Sequence, residues 1–545
     1  MTIHEIISTL RRNAGFSQDE LAEKLNVSRQ SVSKWENGKA TPDADKILAL
    51  SELFGVSTDY LLKVGEEDNE HVPPAVINFS EDNDPTQDIP VLFADEPFCQ
   101  EADSSENQNS NRRKLPVKKI IFAAISLILI IALIIPIPTG LYEKWFCEEY
   151  ITYPYVLVHG LGGYGADSKI NDINPYWGSE TGNLAAYLSE EKGYEVYEAS
   201  VGPFSSTWDR ACELYAQLTG TTVDYGEAHS KAHGHERYGR KYTQKAVPDW
   251  GNKTKGGQTV KINLIGHSFG GATVRMLTSL LEYGNEEEQK ASPENVSELF
   301  KGGKGNLINS VTTLCAPHNG STLYYCIEKY NLVDYALDAL FLGSKLTQGN
   351  GISDYYDLHL EHFGISSDSR DTGSILKSEF GQGKDNAAYD LSPDGAAQIN
   401  KNIKTVDNVY YFSYAYSATR DNGNNHKPDK DIIPVHNILY YPATLIGSYS
   451  ENTVSDYNID KSWLENDGMV NVISAKYPFT DEWQEYDGNN IVKGKWNVMP
   501  VQKGHHGTVI GMDNTVKQTR QFYLDLFSMI EEQPRDKKYY FKGLF

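Results

Sequence analysis

The sequence predicts an all-α N-terminal domain, a single transmembrane helix and a larger C-terminal α/β domain. Apolar residues recur at helical spacing through residues 1–63, whereas residues 120–135 form an apolar run broken only by Ser126. Apolar strands at 155–158 and 260–265 run into glycine-rich turns, and a helical segment follows the second turn. We therefore expect the 545-residue chain to divide as follows: 1–63, 64–115, 117–139 and 150–532.

The composition limits what the whole chain can do. Its formal net charge is −24, which argues against general affinity for nucleic acid over its whole length. Five cysteines, unevenly spread, do not form the pattern of a disulfide framework. The chain contains no low-complexity array and no internal repeat that would indicate a solenoid.

The segment from Ser17 to Glu36 is typical of a helix-turn-helix within a module of five short helices. Its string SRQSVSKWENGK, residues 28–39, resembles the recognition-helix region of Cro/C1-type repressors, the xenobiotic-response-element family. Val32 and Trp35 are predicted to be core residues. The resemblance implies one contact near DNA phosphate and four in the major groove: Gln18, then Arg29, Gln30, Ser33 and Lys34. It also implies a homodimer; a module used only for protein contact is the alternative.

The next segments predict a spacer and a membrane anchor. Residues 64–111 contain no lysine or arginine and are rich in acidic residues, Asn, Ser and Pro, which predicts a disordered linker. Basic residues within 112–119 precede the apolar run, which with its flanks approaches the roughly 20 residues of a spanning helix. Because basic residues favour the cytoplasmic side, we expect a single-pass protein of the cell membrane. Its N-terminus would lie in the cytoplasm and its C-terminal domain outside the cell.

A nucleophile is the strongest chemical signal in the C-terminal part. The string Gly266-His267-Ser268-Phe269-Gly270 follows a predicted buried strand and precedes a predicted helix. A serine hydroxyl is a weak nucleophile, so it must stand at the tip of a sharp turn where a base can reach it. The glycines allow strand and helix to approach closely. This pattern predicts a nucleophilic serine at Ser268.

Partners for this serine are expected later in the chain. Asp467 lies in a turn signal, Asp467-Gly468, and is a candidate acid. Two adjacent histidines, His505 and His506, compete for the role of base. The backbone N–H groups of Leu161 and Phe269 are the candidate donors to an oxyanion. We expect His159, before Leu161, to shape its loop through hydrogen bonds rather than to transfer protons.

From residue 153 onward the sequence resembles the staphylococcal and thermophilic-bacillus lipases. The resemblance is carried by segments that occur in order: 158–160, 201–213, 223–229, 233–235, 266–271, 275–277 and 466–468. It implies an α/β-hydrolase fold, with a mostly parallel sheet and helices on both faces. It also implies Ser268 as nucleophile, Asp467 as acid and His506 as base, because residues 509–513 fix the register of the histidines.

The same resemblance implies metal ions. A structural zinc would be held by Asp209, His229, His235 and Asp385, and these nitrogen and oxygen donors suit tetrahedral zinc. A solvated polar loop is the alternative for the histidine-rich part. Asp513 matches one ligand of a calcium ion, but Thr508 stands where relatives carry an acid. Losing a carboxylate weakens a hard-cation site, so the sequence does not support calcium.

We expect a membrane-anchored carboxylic ester hydrolase, resembling triacylglycerol lipases, with a DNA-binding cytoplasmic head. Its substrates would be triacylglycerols or related acyl esters. The alternative is a transmembrane one-component regulator whose lipase-like outer domain senses a lipid or ester. The helical pattern of residues 328–342 predicts a lid by resemblance, or else an ordinary core-packed helix.

Overall fold

The structure, a computed structural model, divides into two compact units, Met1–Leu115 and Pro116–Phe545. It describes the following residues: 3–13, 16–25, 27, 29–36, 42, 46, 49–50, 53–54, 146–148, 151–254, 256–330, 332, 356–366, 372–450, 456–533 and 539–541. The predicted linker and transmembrane helix, and residues 331 and 333–342 of the predicted lid, lie outside the described residues. Within the described part of the chain, no helix is both long enough and apolar enough to span a membrane.

The first unit begins with three helices: α1 (Ile3–Asn13), α2 (Gln18–Lys24) and α3 (Arg29–Glu36). Their apolar faces meet in a small core that contains the following buried side chains: Ile6, Ile7, Leu21, Ala22, Leu25, Val32, Trp35 and Leu50. Val32 and Trp35 are therefore core residues, as the helical spacing predicts. Arg11 bridges the helices by donating to both carboxylate oxygens of Glu36, over 2.5 and 3.0 Å.

The second unit alternates strands and helices. Its strands are β1 (Phe146–Glu148), β2 (Tyr155–Val158), β3 (Val196–Ala199), β4 (Thr222–Asp224), β5 (Tyr238–Lys241), β6 (Ile262–His267), β7 (Ile308–Leu314), β8 (Tyr410–Tyr414), β9 (Tyr416–Ser417), β10 (Thr419–Asp421), β11 (His426–Pro428), β12 (Trp483–Glu485), β13 (Trp496–Val498), β14 (Gln502–Lys503) and β15 (Tyr539–Phe541).

Its helices continue the numbering of the first unit. They are α4 (Lys169–Ile173), α5 (Leu184–Ala186), α6 (Thr207–Thr219), α7 (Glu227–His233), α8 (Phe269–Tyr283), α9 (Glu286–Ala291), α10 (Glu298–Lys301), α11 (Leu323–Lys329), α12 (Thr372–Lys377), α13 (Glu379–Gln382), α14 (Ala387–Asp390), α15 (Pro393–Asn402), α16 (Tyr440–Gly447), α17 (Val472–Lys476) and α18 (Val516–Glu531).

Seven strands form one parallel sheet in the order β12-β13-β8-β7-β6-β2-β3. Its central strands β6 and β7 are buried along their whole length. A parallel sheet of this kind is covered on both faces, so its strands carry apolar side chains on both sides. Val156 and Val158 of β2 face one core, whereas Tyr155 and Leu157 face the other.

Helices cover the two faces of this sheet. Side chains of α6 and α8 pack into the core that contains Val156, and side chains of α18 pack into the core that contains Tyr155. The predicted α/β domain with a mostly parallel sheet is confirmed. Because the carboxyl ends of parallel strands meet at one edge, the loops after β2, β6, β7 and β8 can converge there.

Candidate active site and metal cluster

Ser268 occupies the turn between the end of β6 and the start of α8. Its backbone adopts φ 54° and ψ −126°, a conformation that non-glycine residues rarely take. The Ser268 N–H donates to the carbonyl of Leu314 over 2.8 Å, which holds the turn against β7. Strand, strained turn and helix together fix the place of the Ser268 hydroxyl.

Two glycines make room for this turn. A Cβ on Gly270 would lie 2.2 Å from the carbonyl oxygen of Val158, and one on Gly160 would lie 2.7 Å from the Cβ of Ser268. Both distances are far below any real contact, so a larger residue at either position would push β2 and α8 apart. The close approach of these elements therefore depends on glycine.

The structure places Ser268, His506 and Asp467 in one hydrogen-bonded series. The Nε2 of His506 lies 2.8 Å from the Ser268 Oγ, and its Nδ1 lies 2.8 Å from Asp467 Oδ2. Asp467 is 1% exposed, whereas His506 is half-buried. An imidazole held at Nδ1 by a carboxylate presents Nε2 to the hydroxyl, which is the arrangement of a base next to a nucleophile.

Asp467 is itself held in a fixed orientation. Its Oδ1 accepts hydrogen bonds from the backbone N–H groups of Met469 and Val470, over 2.9 and 2.7 Å. The Cys315 thiol lies beside the same carboxylate, and burial, together with the Asp467 charge, raises the pKa of that thiol. Nothing in the sequence pointed to Cys315, because its contact joins the loops after β7 and before α17.

The neighbouring His505 has a different environment from His506. Its Nδ1 accepts from the Gly507 N–H over 3.1 Å, so its Nε2 donates to Asp513 Oδ2, also over 3.1 Å. Burial lowers the pKa of His505. Its ring is thus engaged within the loop, and only His506 contacts Ser268.

Leu161 and Phe269, the predicted oxyanion donors, lie beside each other. Phe269 is the first residue of α8, so its N–H has no carbonyl one turn earlier in the helix to bind. The side chains of Leu161 and Phe269 pack in one small apolar cluster with Ala272 and Ala387. The Gly162 N–H donates to the Pro203 carbonyl over 3.0 Å and anchors the loop that carries Leu161.

His159 and Arg210 support this loop from inside. The His159 Nδ1 lies 2.9 Å from the Gly160 carbonyl and its Nε2 accepts from Val201 N–H over 3.2 Å. Burial, with the nearby Arg210 charge, holds the pKa of His159 well below its usual value. His159 thus shapes the loop, as expected from the sequence.

The sequence did not indicate the structural role of Arg210. Its guanidinium is 0% exposed and donates to the carbonyls of His159 and Gly202, over 2.5 and 2.7 Å, and to Thr273 Oγ1 over 2.9 Å. It also lies over the Phe269 ring, 5.0 Å from the centroid. Arg210 therefore joins the loops after β2 and β3 to α8.

Four predicted metal ligands converge in a separate cluster: Asp209, His229, His235 and Asp385. One donor atom from each lies within 4.8 Å of the others. The His229 Nε2 is 3.2 Å from oxygens of both Asp209 and Asp385, and the His235 Nε2 is 3.2 Å from Asp385. Burial would lower the pKa of His229, but the two carboxylates raise it to about 10.

Buried polar atoms in this cluster lack hydrogen-bond partners. They are Asp209 Oδ1 and His235 Nε2, whose neighbours lie close without the alignment of a hydrogen bond. Unpaired buried donors and acceptors are costly, and a cation among them would satisfy both. The donor set and burial therefore fit a metal ion.

His362 adjoins the same cluster and was not predicted. Its Nε2 lies 3.0 Å from Asp209 Oδ2, and its ring stacks on Tyr225 at 4.3 Å between centroids. It follows His235 by more than a hundred residues, so no local spacing of histidines could have revealed it.

The predicted DNA-contacting residues lie on α2 and α3. Arg29 and Lys34 are exposed, Ser33 is half-buried, and Gln30 also lies on α3. Gln18 is half-buried, and its amide donates to Glu36 Oε2 over 2.7 Å. That bond ties Gln18 into the Arg11–Glu36 network, so Gln18 also fastens α2 to α3.

Both parts of the chain match known families. Residues 151–534 match the lipase-like C-terminal domain family, and residues 7–61 match the helix-turn-helix family. A lipase of Staphylococcus epidermidis is 35% identical over 381 residues, which cover 67% of this chain. This chain covers 51% of that lipase and so spans about half the length of the relative.

Solved structures show the same relationship. EstA from Clostridium botulinum is 38% identical, with a TM-score of 0.63, over 71% of this chain and 88% of that one. Lipase 1 from Pelosinus fermentans is 37% identical, with a TM-score of 0.62, over 71% of this chain and 100% of that one. The chain therefore belongs to the family of lipase-like C-terminal domains and carries a helix-turn-helix module ahead of that domain.

Proposed function

We propose that the protein is a serine ester hydrolase that acts on triacylglycerols or related acyl esters. The observation that carries this proposal is the series Ser268 Oγ, His506 and Asp467, with both hydrogen bonds at 2.8 Å. Similarity to the staphylococcal lipase and to EstA supports esters as the substrate class. A serine activated in this way is suited to acyl transfer.

In the first half-reaction, Ser268 Oγ attacks the ester carbonyl while His506 Nε2 takes its proton. The carbonyl oxygen gains negative charge, which the N–H groups of Leu161 and Phe269 would stabilise. The imidazolium then gives the proton to the departing alcohol oxygen. Asp467 keeps the imidazole in the required tautomer and stabilises its positive form. The alcohol leaves, and an acyl group remains on Ser268.

In the second half-reaction, water replaces the alcohol. His506 takes a proton from the water as its oxygen attacks the acyl carbonyl, and the same two N–H groups stabilise the second oxyanion. His506 then returns the proton to Ser268 Oγ as the carboxylic acid departs. No other acid or base is required.

We infer that the ion held by Asp209, His229, His235 and Asp385 is zinc. Two imidazoles and two carboxylates suit its tetrahedral coordination. A bound zinc ion would neutralise the buried carboxylates and cross-link α6, α7 and the segment before α14. Its contribution would be to stability rather than to the reaction at Ser268.

We propose further that residues 117–139 anchor the protein in the cell membrane with the N-terminus in the cytoplasm. The basic residues before this apolar run support that orientation. The hydrolase would then act outside the cell. Arg29, Gln30, Ser33 and Lys34 would contact DNA in the cytoplasm, with Gln18 near phosphate, and the module would act as a homodimer.

The hydrolase is tested with the full-length chain in detergent micelles. We expect turnover of short-chain nitrophenyl esters and of a triacylglycerol emulsion, and loss of both in Ser268→Ala. The matched control is Ser528→Ala, an exposed serine on α18, which should retain activity. A fluorophosphonate probe applied to intact cells should label the wild type but not Ser268→Ala, which also tests sidedness. Equal turnover by both proteins would contradict the proposal.

A second candidate function is a transmembrane regulator that senses a lipid or ester. The match of residues 7–61 to the helix-turn-helix family favours it, because hydrolysis alone requires no such module. Mobility-shift assays with the full-length chain and genomic fragments should reveal a preferred site. Lys34→Ala should weaken binding to the preferred site more than binding to other fragments, since a lysine in the major groove contacts base edges. Uniformly weak binding by the wild type would argue against regulation.

A further inference from the structure

Three hydrogen bonds link the oxyanion loop to the loop of the base. The Gly160 N–H donates to the hydroxyl oxygen of Tyr176 over 2.8 Å. The same hydroxyl lies 2.6 Å from His267 Nδ1. The Nε2 of His267 lies 3.0 Å from the backbone carbonyl oxygen of His506. Tyr176 and His267 thus touch the segments that carry both Leu161 and His506.

The chemistry of the groups fixes the direction of each bond. Gly160 N–H can only donate and the His506 carbonyl can only accept. His267 must therefore carry its proton on Nε2, and its Nδ1 must accept from the Tyr176 hydroxyl. The relay runs from Gly160 through Tyr176 and His267 to His506, and every group in it is satisfied.

His267 is held in this neutral form. It is 3% exposed, and burial, together with the nearby His506, lowers its pKa to about 3. A charged ring would lose the acceptor at Nδ1 and break the bond to Tyr176. His267 is also the residue directly before Ser268, so a shift of its ring moves the nucleophile's turn.

We propose that Tyr176 and His267 are positioning residues. They hold the oxyanion loop, the turn of Ser268 and the loop of His506 in fixed positions relative to one another. This inference rests on the proposed ester hydrolysis and adds two residues to its machinery. Neither side chain touches the reacting atoms. Both side chains instead hold the backbone of Gly160 and His506, next to the groups that take part in the reaction. Small displacements of reacting groups lower the rate of the chemical step.

The test uses the full-length protein, a soluble nitrophenyl ester and four variants. Tyr176→Phe removes the hydroxyl and keeps the ring. We expect kcat to fall by about tenfold or more, with KM changed by less than about twofold, because transition-state contacts are lost while substrate binding is retained. The matched control is Tyr164→Phe. The Tyr164 hydroxyl donates to the Asn174 carbonyl over 2.7 Å, and its ring packs edge-on against Tyr176.

The histidine is tested by rescue. His267→Leu removes both nitrogen contacts, whereas the amide of His267→Gln can accept from Tyr176 and donate to the His506 carbonyl. We expect His267→Gln to recover at least about tenfold in kcat over His267→Leu, if the hydrogen bonds and not merely the volume matter. Melting temperatures of all four variants are measured in parallel.

Two results would overturn the relay. One is a kcat for Tyr176→Phe equal to that of Tyr164→Phe; the other is no recovery in His267→Gln relative to His267→Leu. In either case the wild type still hydrolyses the ester and still reacts with a fluorophosphonate. A wild type that does neither would instead overturn the proposed hydrolysis, and the relay with it.

Discussion

The side-chain amide of Asn437 donates to Asp513 Oδ2 over 3.0 Å, and His505 Nε2 donates to the same oxygen over 3.1 Å. Two N–H groups therefore point at the one carboxylate for which the resemblance implies a calcium ligand. Their hydrogens oppose a cation at that oxygen.

Calcium removal should consequently have little effect. We expect a calcium-selective chelator to change kcat by less than about twofold, since Asn437 and His505 already hold the loop. Asn437→Asp should reverse this behaviour, because two facing carboxylates repel each other unless a cation joins them. Its melting temperature should fall without calcium and recover with added calcium. A wild type that loses activity in the chelator would contradict this account.

The cluster around Asp209 should bind metal in the purified protein. We expect elemental analysis to find about one zinc per chain and Asp385→Asn to lose it, because the variant removes a charged ligand. Loss of the ion should lower the melting temperature, since binding to the folded state alone stabilises it. The control is Asp390→Asn. Asp390 is half-buried and accepts from the Thr207 N–H over 2.6 Å, but it is not a predicted ligand. Equal zinc in both variants would contradict the assignment.

Glu198 should make the fold less stable at alkaline pH. Burial raises its pKa to about 7, although Asn171 donates to it over 2.7 Å. A raised carboxyl pKa favours the folded state most at acidic pH, and this contribution is lost as the pH rises towards 7. Glu198→Gln should therefore raise the melting temperature at pH 8 by about 2–5 °C and change it little at pH 5. The exposed Glu195→Gln serves as control; an equal gain at both pH values would contradict the prediction.

Arg210 should be required for both stability and turnover. Arg210→Met leaves the carbonyls of His159 and Gly202 without donors in a buried site, which costs about 3 kcal/mol or more. Arg210→Lys keeps the charge but cannot reach three acceptors in a fixed fork. We expect kcat to fall by about tenfold or more in both, measured beside the melting temperature. Arg420→Met, which replaces an exposed arginine paired with Asp429, is the control. An unchanged kcat in Arg210→Lys would contradict this prediction, because it would show that a positive charge alone supports turnover.

The site residues differ in how far the sequence could locate them. Ser268 and Asp467 stand in local patterns, a strand-turn-helix and an Asp-Gly turn, so a short window contains their signal. His505 and His506 are adjacent, and residue chemistry alone does not decide which of them is the base. Only the resemblance to lipases favoured His506, and the structure places its ring next to Ser268 while His505 faces Asp513.

Other site residues could not be found from the sequence. The contacts that define three of these residues join segments far apart in the chain: Arg210, Tyr176 and His362. The sequence pattern alone does not distinguish a buried arginine or tyrosine from an exposed one. The parallel sheet was likewise implied by resemblance, because strand order depends on long-range pairing rather than on local periodicity. Strand order determines which loops meet, so these contacts became visible only in the fold.

Ser268 and His506 are separated by 238 residues along the chain. During translation, Ser268, the loop that carries Leu161 and the four candidate metal ligands are therefore all synthesised before His506. A polypeptide that ends before residue 506 would therefore carry the Ser268 hydroxyl without the base that activates it. The Ser268 hydroxyl of a newly made chain would stay without its base until the last part of the domain is synthesised and has packed against the rest.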